Sequence, residues 1–389
     1  MSVLKVGIVA SGMMAKNHAD ALRRIPGVQV VAIADPFALN LADIAQELGI
    51  PATYTSYEKM CECEDLDVIH NCAPNNEHFA INKYAITHGI GVFSEKPLAV
   101  TVDEAEELCE LVDKYEVPNG VNFNYRSNAV VREIRARIRN GTAGKPLLVH
   151  GAYLQDWLMY DNDYNWRLDS GKGGKSRTVA DIGSHWFDTV QTALDTKIVS
   201  VNAKLITVYP ERLKPAAQTG TFTRSGVGSY EKVSVDTEDA GMIMVKFANG
   251  TFGSVLLSQI SGGFKNALDL CIDCAKCSLR WEQEEPDHLI IGDRENGVTK
   301  TFADYGKMTD DADYYATLPG GHPVGWADAL HNNFRLFYDA VKKGTYKNGE
   351  QEFATIADAT YIMKIVEACL KSNETNSWVD IDCQSVYQS

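Results

Sequence analysis

The first 125 residues alternate short apolar runs with longer amphipathic stretches. Val3 to Val9, Val28 to Ala34, Val68 to Cys72, Gly91 to Ser94 and Val121 to Asn124 carry β-branched or aromatic residues and are too short for buried helices. They predict core strands. Between them, helices are predicted from Ala15 to Arg24, Leu39 to Leu48, across His78 to His88, and from Asp103 to Tyr115. Pro26-Gly27 and Gly49 end the first two. Strand alternating with helix at this spacing predicts a parallel, doubly wound sheet.

The pattern changes after Arg126. A basic helix is predicted from Val130 to Asn140, followed by longer alternating strands at Leu147 to Tyr153, Ile198 to Tyr209, Ala240 to Phe247, Thr251 to Ser258 and Asn266 to Ile272. Asn249-Gly250 between two of them is a strong hairpin signal. Long hairpin-linked strands predict an open, mostly antiparallel sheet. A helix from Thr178 to Ala193 interrupts this region, and two more, Trp326 to Lys343 and Glu352 to Lys371, close the chain. The expected organisation is a Rossmann-type domain over residues 1–125 and an α/β domain with an open sheet over 126–389.

Composition narrows the partners. The 389 residues carry a net charge of −15, which argues against nucleic acid, whose phosphates need a basic surface. No apolar run is long enough to span a membrane, and the first residues lack the long apolar core of a signal peptide. The expectation is a soluble cytoplasmic protein with nine reduced cysteines. Cys271, Cys274 and Cys277 resemble an iron–sulfur ligand run, but Trp281 stands where a fourth cysteine would be needed. The flanking alternation predicts instead two strands joined by a tight turn near Ala275-Lys276, with no metal.

Candidate chemistry begins at the first turn. In Gly7-Ile8-Val9-Ala10-Ser11-Gly12-Met13-Met14-Ala15, the residues Ala10, Gly12 and Ala15 stand where G-x-G-x-x-G/A has its small residues. Ala10 departs from the pattern. Asp35 ends the second strand 23 residues after Gly12, where a carboxylate binds ribose hydroxyls and repels a 2′-phosphate, favouring NAD over NADP. Lys96 follows a predicted strand, at the end where such sheets bind ligands. Asp181 and His185 are four apart, which predicts one shared helix face. Taken singly, Lys96 reads equally as a surface lysine, Asp181 as a cap and His185 as a core residue.

Together these residues resemble one family, the glucose–fructose oxidoreductase / inositol dehydrogenase (Gfo/Idh/MocA) family. The markers are the turn through Gly12, His18, Asp35, Cys72-Ala73-Pro74-Asn75 with His78, Glu95-Lys96-Pro97-Leu98, Asn122-Phe123-Asn124-Tyr125-Arg126, Trp166-Arg167, and Asp181-Ile182-Gly183-Ser184-His185 with Asp188. The resemblance implies an NAD-dependent oxidoreductase that moves a hydride from a secondary hydroxyl of a sugar, glycoside or cyclitol. C3 of a glucoside is the specific expectation, and a homodimer or homotetramer the expected assembly. It implies catalysis by Lys96, Asp181 and His185, with His185 or Lys96 taking the proton. It implies cofactor contacts from Ser11, Gly12, Met13, Met14, Asp35, Pro74, Asn75, His78, Glu95, Lys96, Asn122 and Arg126. Arg126 could equally make an ion pair between domains.

Substrate contacts are expected from Lys96, Tyr153, Gln155, Trp157, Trp166, Arg167, Asp181, His185 and, in the Gly320-Gly321-His322-Pro323 loop, His322. Trp157, Trp166 and Trp186 suit sugar faces or a plain core. The run Lys172 to Arg177 could bind an anion or form a loop. Reduction of carbonyl sugars, dihydrodiol oxidation, NAD-dependent glycoside cleavage and a non-enzymatic NAD-binding regulator remain as alternatives.

Overall fold

The computed structural model describes residues 3–215, 229–347 and 351–382. The first part of the chain runs β1 (Leu4–Val9), α1 (Met13–Arg23), β2 (Val28–Ala34), α2 (Leu41–Glu47), β3 (Ala52–Tyr54), α3 (Tyr57–Cys63), β4 (Val68–Asn71), α4 (Asn75–Thr87), β5 (Gly91–Ser94), α5 (Val102–Tyr115) and β6 (Asn119–Val121). The six strands are all parallel, in the order β3-β2-β1-β4-β5-β6. This is the doubly wound order, and its direction reverses between β1 and β4. Val6, Ile8, Ala32, Ile33, Val68, Ile69, Val92 and Phe93 are wholly buried in it, as strands covered on both faces require. Thr101 and Glu104 form a capping box that starts α5.

Two elements escape the periodicity. β3 is a three-residue edge strand paired to Ala32–Ala34, too short to show alternation. α3 is started by Ser56, whose hydroxyl accepts the Lys59 N–H at 3.3 Å. The last parallel strand is Asn119–Val121, and Asn124–Ser127 turns into a 3-10 helix rather than extending it.

The remaining elements are α6 (Ala129–Arg139), β7 (Pro146–Leu154), α7 (Ser170–Gly173), α8 (Ser184–Leu194), β8 (Ile198–Ile206), β9 (Glu211–Pro215), β10 (Tyr230–Ser234), β11 (Ala240–Phe247), β12 (Phe252–Ser258), β13 (Ala267–Cys274), β14 (Ser278–Glu282), β15 (His288–Asp293), β16 (Gly297–Phe302), α9 (Trp326–Lys343), α10 (Ile356–Thr375) and β17 (Val379–Asp380). Among the described residues, nine strands form one sheet in the order β16-β15-β14-β13-β7-β12-β11-β8-β17, and β9 pairs with β10 separately. Every pair in the large sheet is antiparallel except β7 with β12. One face is buried, with Val149, Ile243, Val245, Leu270, Ile272 and Trp281 pointing inward, alongside Trp186, Phe187 and Val190 of α8.

The Asn249-Gly250 hairpin joins β11 to β12, and Gly250 adopts φ +87°. The cysteine run forms the expected hairpin: Cys271 and Cys274 lie on β13, and Cys274 N–H donates to Cys277 O at 2.9 Å. β8 stops at Ile206 because Val208 and Tyr209 turn their N–H groups to the Asp239 carboxylate, at 2.7 and 2.9 Å. α10 starts four residues later than expected, where Thr355 and Asp358 cap one another.

The chain forms two compact units. One contains residues 3–127 together with Ala327–Tyr361, and the other contains Asn128–Trp326 together with residues 362–382. Among the described residues, no helix is long and apolar enough to cross a membrane.

Ala10 stands where the nucleotide-binding pattern has its first glycine, and it keeps the left-handed turn that glycine would give, with φ +74°. Its N–H donates to Ala34 O at 2.7 Å. An alanine held there is strained by roughly 1 kcal/mol relative to glycine. Ala10→Gly should raise the free energy of unfolding by up to about 1 kcal/mol, less the extra freedom glycine gives the unfolded chain. Urea denaturation of the two proteins checks this, and a less stable variant would mean that the Ala10 methyl group contributes packing that outweighs the strain.

Candidate active site

In the first unit, every predicted cofactor residue lies on or beyond the carboxyl end of a parallel strand. Gly12 caps α1 without a side chain, and a Cβ built there meets nothing within 4 Å. The helix N-terminus is therefore approachable, with Met13 exposed and Met14 half-buried at its start. Asp35 braces the turn. Its Oδ2 accepts from Ser11 N–H at 2.9 Å and Ser11 Oγ at 2.7 Å, and its Oδ1 accepts from Phe37 and Ala38 N–H at 2.8 and 3.2 Å. Free backbone N–H groups at a helix start, with a carboxylate at the end of β2, fit the pyrophosphate and ribose of a dinucleotide.

Pro74 caps α4 and Asn75 is its first residue, so a second helix starts beyond β4, next to β1 in the sheet. The buried His78 ties this loop to the next one. Its Nδ1 lies 2.6 Å from Pro97 O and its Nε2 lies 2.8 Å from Ala73 O. Burial pushes the imidazole pKa down, while the two carbonyls oppose that shift.

Lys96 follows β5 and is half-buried, and the Lys96–Pro97 peptide is cis. Beside it runs a chain of buried polar groups. Glu95 Oε1 lies 2.9 Å from His18 Nε2 and accepts from Asn122 Nδ2 at 2.6 Å. His18 Nδ1 lies 2.9 Å from His70 Nδ1, and His70 Nε2 lies 2.8 Å from the Tyr338 hydroxyl. Burial alone would raise Glu95, but the His18 and Asn122 bonds and the Lys96 charge bring it down to about 2. A carboxylate accepts only, so His18 donates through Nε2. Asn122 Oδ1 accepts from Asn333 at 3.2 Å. Arg126 lies 3.7 Å from Asp358, and both belong to the first unit, so this ion pair does not join the two units.

In the second unit, the expected helix from Thr178 begins as a π turn, Val179–Gly183, and becomes α-helical at Ser184. Asp181 lies in the wide turn and His185 in the α-helix, so the simple four-residue spacing is altered. π turns cluster at functional sites. Gly183 is needed because a Cβ there would lie 2.7 Å from Leu257 Cδ1 of β12.

The turn is anchored by residues that no sequence spacing revealed. The buried Glu238 accepts from Ser176 Oγ at 2.7 Å, Arg177 N–H at 3.0 Å and Val179 N–H at 2.9 Å. Gln259, fully buried, donates to Asp181 Oδ2 at 2.9 Å, and its Oε1 accepts from Thr178 Oγ1 at 3.3 Å. Arg167 Nε lies 3.7 Å from Asp181 Oδ1. His185 is buried with its ring centroid 6.5 Å from that of Tyr153.

The substrate candidates divide. Tyr153 Oη donates to Asn266 Oδ1 at 2.5 Å, Gln155 donates to the same oxygen at 3.4 Å, and Trp157 Nε1 donates to Gln155 Oε1 at 2.8 Å. This linked set lies in the same unit as His185. Trp166 carries the Arg167 guanidinium 4.5 Å over its ring. Trp186 is core: fully buried, with Nε1 donating to Asp269 O at 3.1 Å. His322 is exposed, with Nδ1 3.0 Å from Pro319 O.

The basic run needs one correction as an anion site. Arg177 is buried against Asp239 and Glu238 and is structural, while Lys172 and Lys175 are exposed. Only an unpaired polar run followed by Asp-x-Gly-x-His could have hinted at the anchor, and Thr237-Glu238-Asp239 lies far away in sequence.

Gln259 holds one Asp181 oxygen and should act as a positioning residue. Gln259→Leu removes both bonds of the buried amide and is expected to lower oxidoreductase turnover about tenfold, with a modest fall in melting temperature. Gln259→Glu, which sets a second carboxylate against Asp181, should displace the pH–rate profile as well. Steady-state rates across pH check both. An unchanged profile combined with a collapse in stability would mark Gln259 as merely structural.

Residues 4–123 match the model of the oxidoreductase family with an NAD-binding Rossmann fold, and residues 131–280 match the C-terminal domain of the same Gfo/Idh/MocA family. The chain is 27% identical to a levoglucosan dehydrogenase of Pseudarthrobacter phenanthrenivorans over 98% of this chain and 99% of that one. It is 25% identical to a D-glucoside 3-dehydrogenase of Escherichia coli over 64% and 68% of the two chains. A solved levoglucosan dehydrogenase in complex with NADH superposes with a TM-score of 0.85 at 25% identity, covering 97% of this chain and 99% of that chain. With both of its domains matched in order and the nucleotide-binding turn in place, the chain belongs to the Gfo/Idh/MocA family of oxidoreductases.

Proposed function

We propose that this chain is an NAD-dependent dehydrogenase that oxidises a secondary hydroxyl of a sugar, glycoside or cyclitol, with C3 of a glucoside as the specific target. The observation that carries the reading is Asp181 braced on a π turn that leads into the helix bearing His185, in a chain whose first unit keeps an approachable helix start and a ribose-type carboxylate. The similarity to a D-glucoside 3-dehydrogenase supports the glucoside choice.

NAD supplies the hydride acceptor. Ser11, Gly12, Met13 and Met14 would hold its pyrophosphate and Asp35 its ribose hydroxyls. Pro74, Asn75, His78, Glu95, Asn122 and Arg126 would line the remainder. Lys96 donates a hydrogen bond to the reacting oxygen and stabilises the negative charge that grows on it. His185 takes the proton, a role suited to an imidazole near neutral pH. Asp181, held by Gln259, keeps the acceptor geometry around the substrate hydroxyl fixed. Tyr153, Gln155, Trp157, Trp166, Arg167 and His322 are assigned to substrate recognition, the first three as a set organised by Asn266.

The enzyme is further proposed to be cytoplasmic and to assemble as a homodimer or homotetramer through the open face of its nine-stranded sheet. Met242, Met244, Phe252, Leu256 and Leu148 are exposed on that face on neighbouring strands. Such a patch on a sheet is unusual unless covered, and methionine and phenylalanine are enriched in subunit interfaces. Sedimentation should show a dimer or larger, and Met244→Glu should shift it to monomer. A wild-type monomer would remove the assembly from the proposal.

The activity is tested with NAD and a panel of glucosides, free sugars and inositols. NADH and a ketosugar should form in equal amounts, fastest with glucosides. His185→Ala and Lys96→Met should each lower kcat by about 10²-fold or more, with NAD still bound by His185→Ala. A cleaved glycoside without net NADH would reassign the protein as an NAD-dependent glycosidase. Cofactor binding with no turnover would make it a regulator, and full activity in His185→Ala would remove that residue as base.

A further inference from the structure

The cysteine run has a second consequence. Antiparallel pairing sets Cys271 of β13 directly opposite His150 of β7, and Asp273 follows two residues later on the same face. His150 is exposed, and Cys271 and Asp273 are half-buried. His150 Nε2 lies 3.7 Å from Asp273 Oδ2, Cys271 Sγ lies 4.0 Å from Asp273 Oδ1, and one ligand atom from each residue lies within 4.8 Å of the other two. Tetrahedral zinc bonded at the usual lengths separates N from O by about 3.3 Å and S from O by about 3.5 Å. The observed spacings run to different oxygens of the Asp273 carboxylate and exceed these by half an ångström or less, so a rotation of that carboxylate is what brings one oxygen to both partners. Both strands lie in the middle of the nine-stranded sheet, so the backbone beneath the three groups is rigid.

Cys274 and Cys277 do not join this set. They face one another across the turn that closes the β13–β14 hairpin, whereas Cys271 is joined by His150 of β7 and Asp273 of β13. The three groups border the apolar patch, because Leu148 of that patch pairs directly with Asp273. Across one row of the face, Met244, Ser254, His150, Cys271 and Arg280 succeed one another on β11, β12, β7, β13 and β14.

We propose that His150, Cys271 and Asp273 form a binding site for one divalent ion of the zinc class, clipping β7 to β13 and leaving a fourth coordination position for water or another ligand. A nitrogen, a thiolate and a carboxylate suit a borderline-soft ion and disfavour magnesium or calcium, which take oxygen sets. Binding displaces the thiol proton, so affinity rises with pH. The balance is simple: the ion gains an S–metal bond and the Cys271 proton leaves to solvent, with no change in oxidation state.

The test is titration of the chelator-treated, full-length protein with Co²⁺ alone. A thiolate-to-cobalt absorption band in the near ultraviolet should grow to saturation at one equivalent and be abolished by Zn²⁺. Cys271→Ser should eliminate the band, and His150→Ala and Asp273→Asn should each weaken binding tenfold or more. Cys274→Ser and Cys277→Ser should leave it intact. These surface positions permit substitution without loss of fold, which circular dichroism confirms for each variant. Absence of the band, or its persistence in Cys271→Ser, would overturn the site and leave His150 and Asp273 as an ordinary surface ion pair. The readout does not depend on dehydrogenase activity, so either result stands whatever the substrate proves to be.

Discussion

Glu238 has lost nearly all contact with water, yet its carboxylate accepts bonds from Ser176 Oγ and from the N–H groups of Arg177 and Val179. The start of any helix leaves backbone N–H groups without intrahelical partners. Here they belong to the π turn that carries Asp181, and a buried side chain from a distant part of the sequence satisfies them. The segment bearing the proposed acid–base chemistry is therefore fixed by tertiary structure together with a local bond from Ala180 N–H to Ser176 Oγ. Asp239, the next residue, does the same for neighbouring chain. It accepts from Arg177 and Arg212 and from the N–H groups of Val208 and Tyr209. One dipeptide thus ends β8, holds two buried guanidinium groups and anchors the π turn.

Burying carboxylates costs free energy unless they are fully hydrogen-bonded or paired. The outcome depends on the company each one keeps. Burial dominates at Glu238 and its pKa is raised. At Asp239, burial is opposed by Arg177 and by bonds from Tyr209 and Arg212, and its pKa is lowered. Glu95 is more extreme: although it is buried, His18, Asn122 and Lys96 hold it at about 2. Glu95 is thus a fixed negative charge next to Lys96 in sequence. Asp35 plays the corresponding part at the nucleotide turn, with Ser11 bound twice to one oxygen.

The strands and helices of the first unit were legible because their apolar periodicity is strong and their ends carry glycine, proline or a cap. β2 and β5 have the residues expected for them, and the NAD turn was legible even with Ala10 in a glycine's place. The family was legible from two short motifs whose separate meanings are weak. What escaped depends on pairing between distant residues. β3 has three residues and owes its existence to Ala32–Ala34, and α10 starts late because Thr355 and Asp358 close a capping box ahead of it. The π turn is invisible to helical periodicity, which assigns Asp181 and His185 to one face. Gln259, Glu238 and Asn333 carry no local signal, because a polar residue becomes a positioning group only when folding delivers it to a particular acceptor.

The nine-stranded sheet shows how much a strand's outward face can differ from its inward one. Inward positions on β7, β11, β12, β13 and β14 are almost uniformly apolar, as a covered face requires. Outward positions change character across β7. On β11 and β12 they are Met242, Met244, Phe252 and Leu256, while on β13 and β14 they are Asp269, Cys271, Asp273, Arg280 and Glu282. Alternation alone predicts only that these residues point away from the core. The division into an apolar and a polar half is a property of strand order, since β12 and β13 flank β7 although β7 precedes both by about a hundred residues. A face with such a boundary can exclude water on one side, where another apolar surface could pack, and keep ionisable groups solvated on the other. The order in which the strands are assembled therefore determines where copies of the chain could pack and where an ion could bind, although neither property can be read from any one strand.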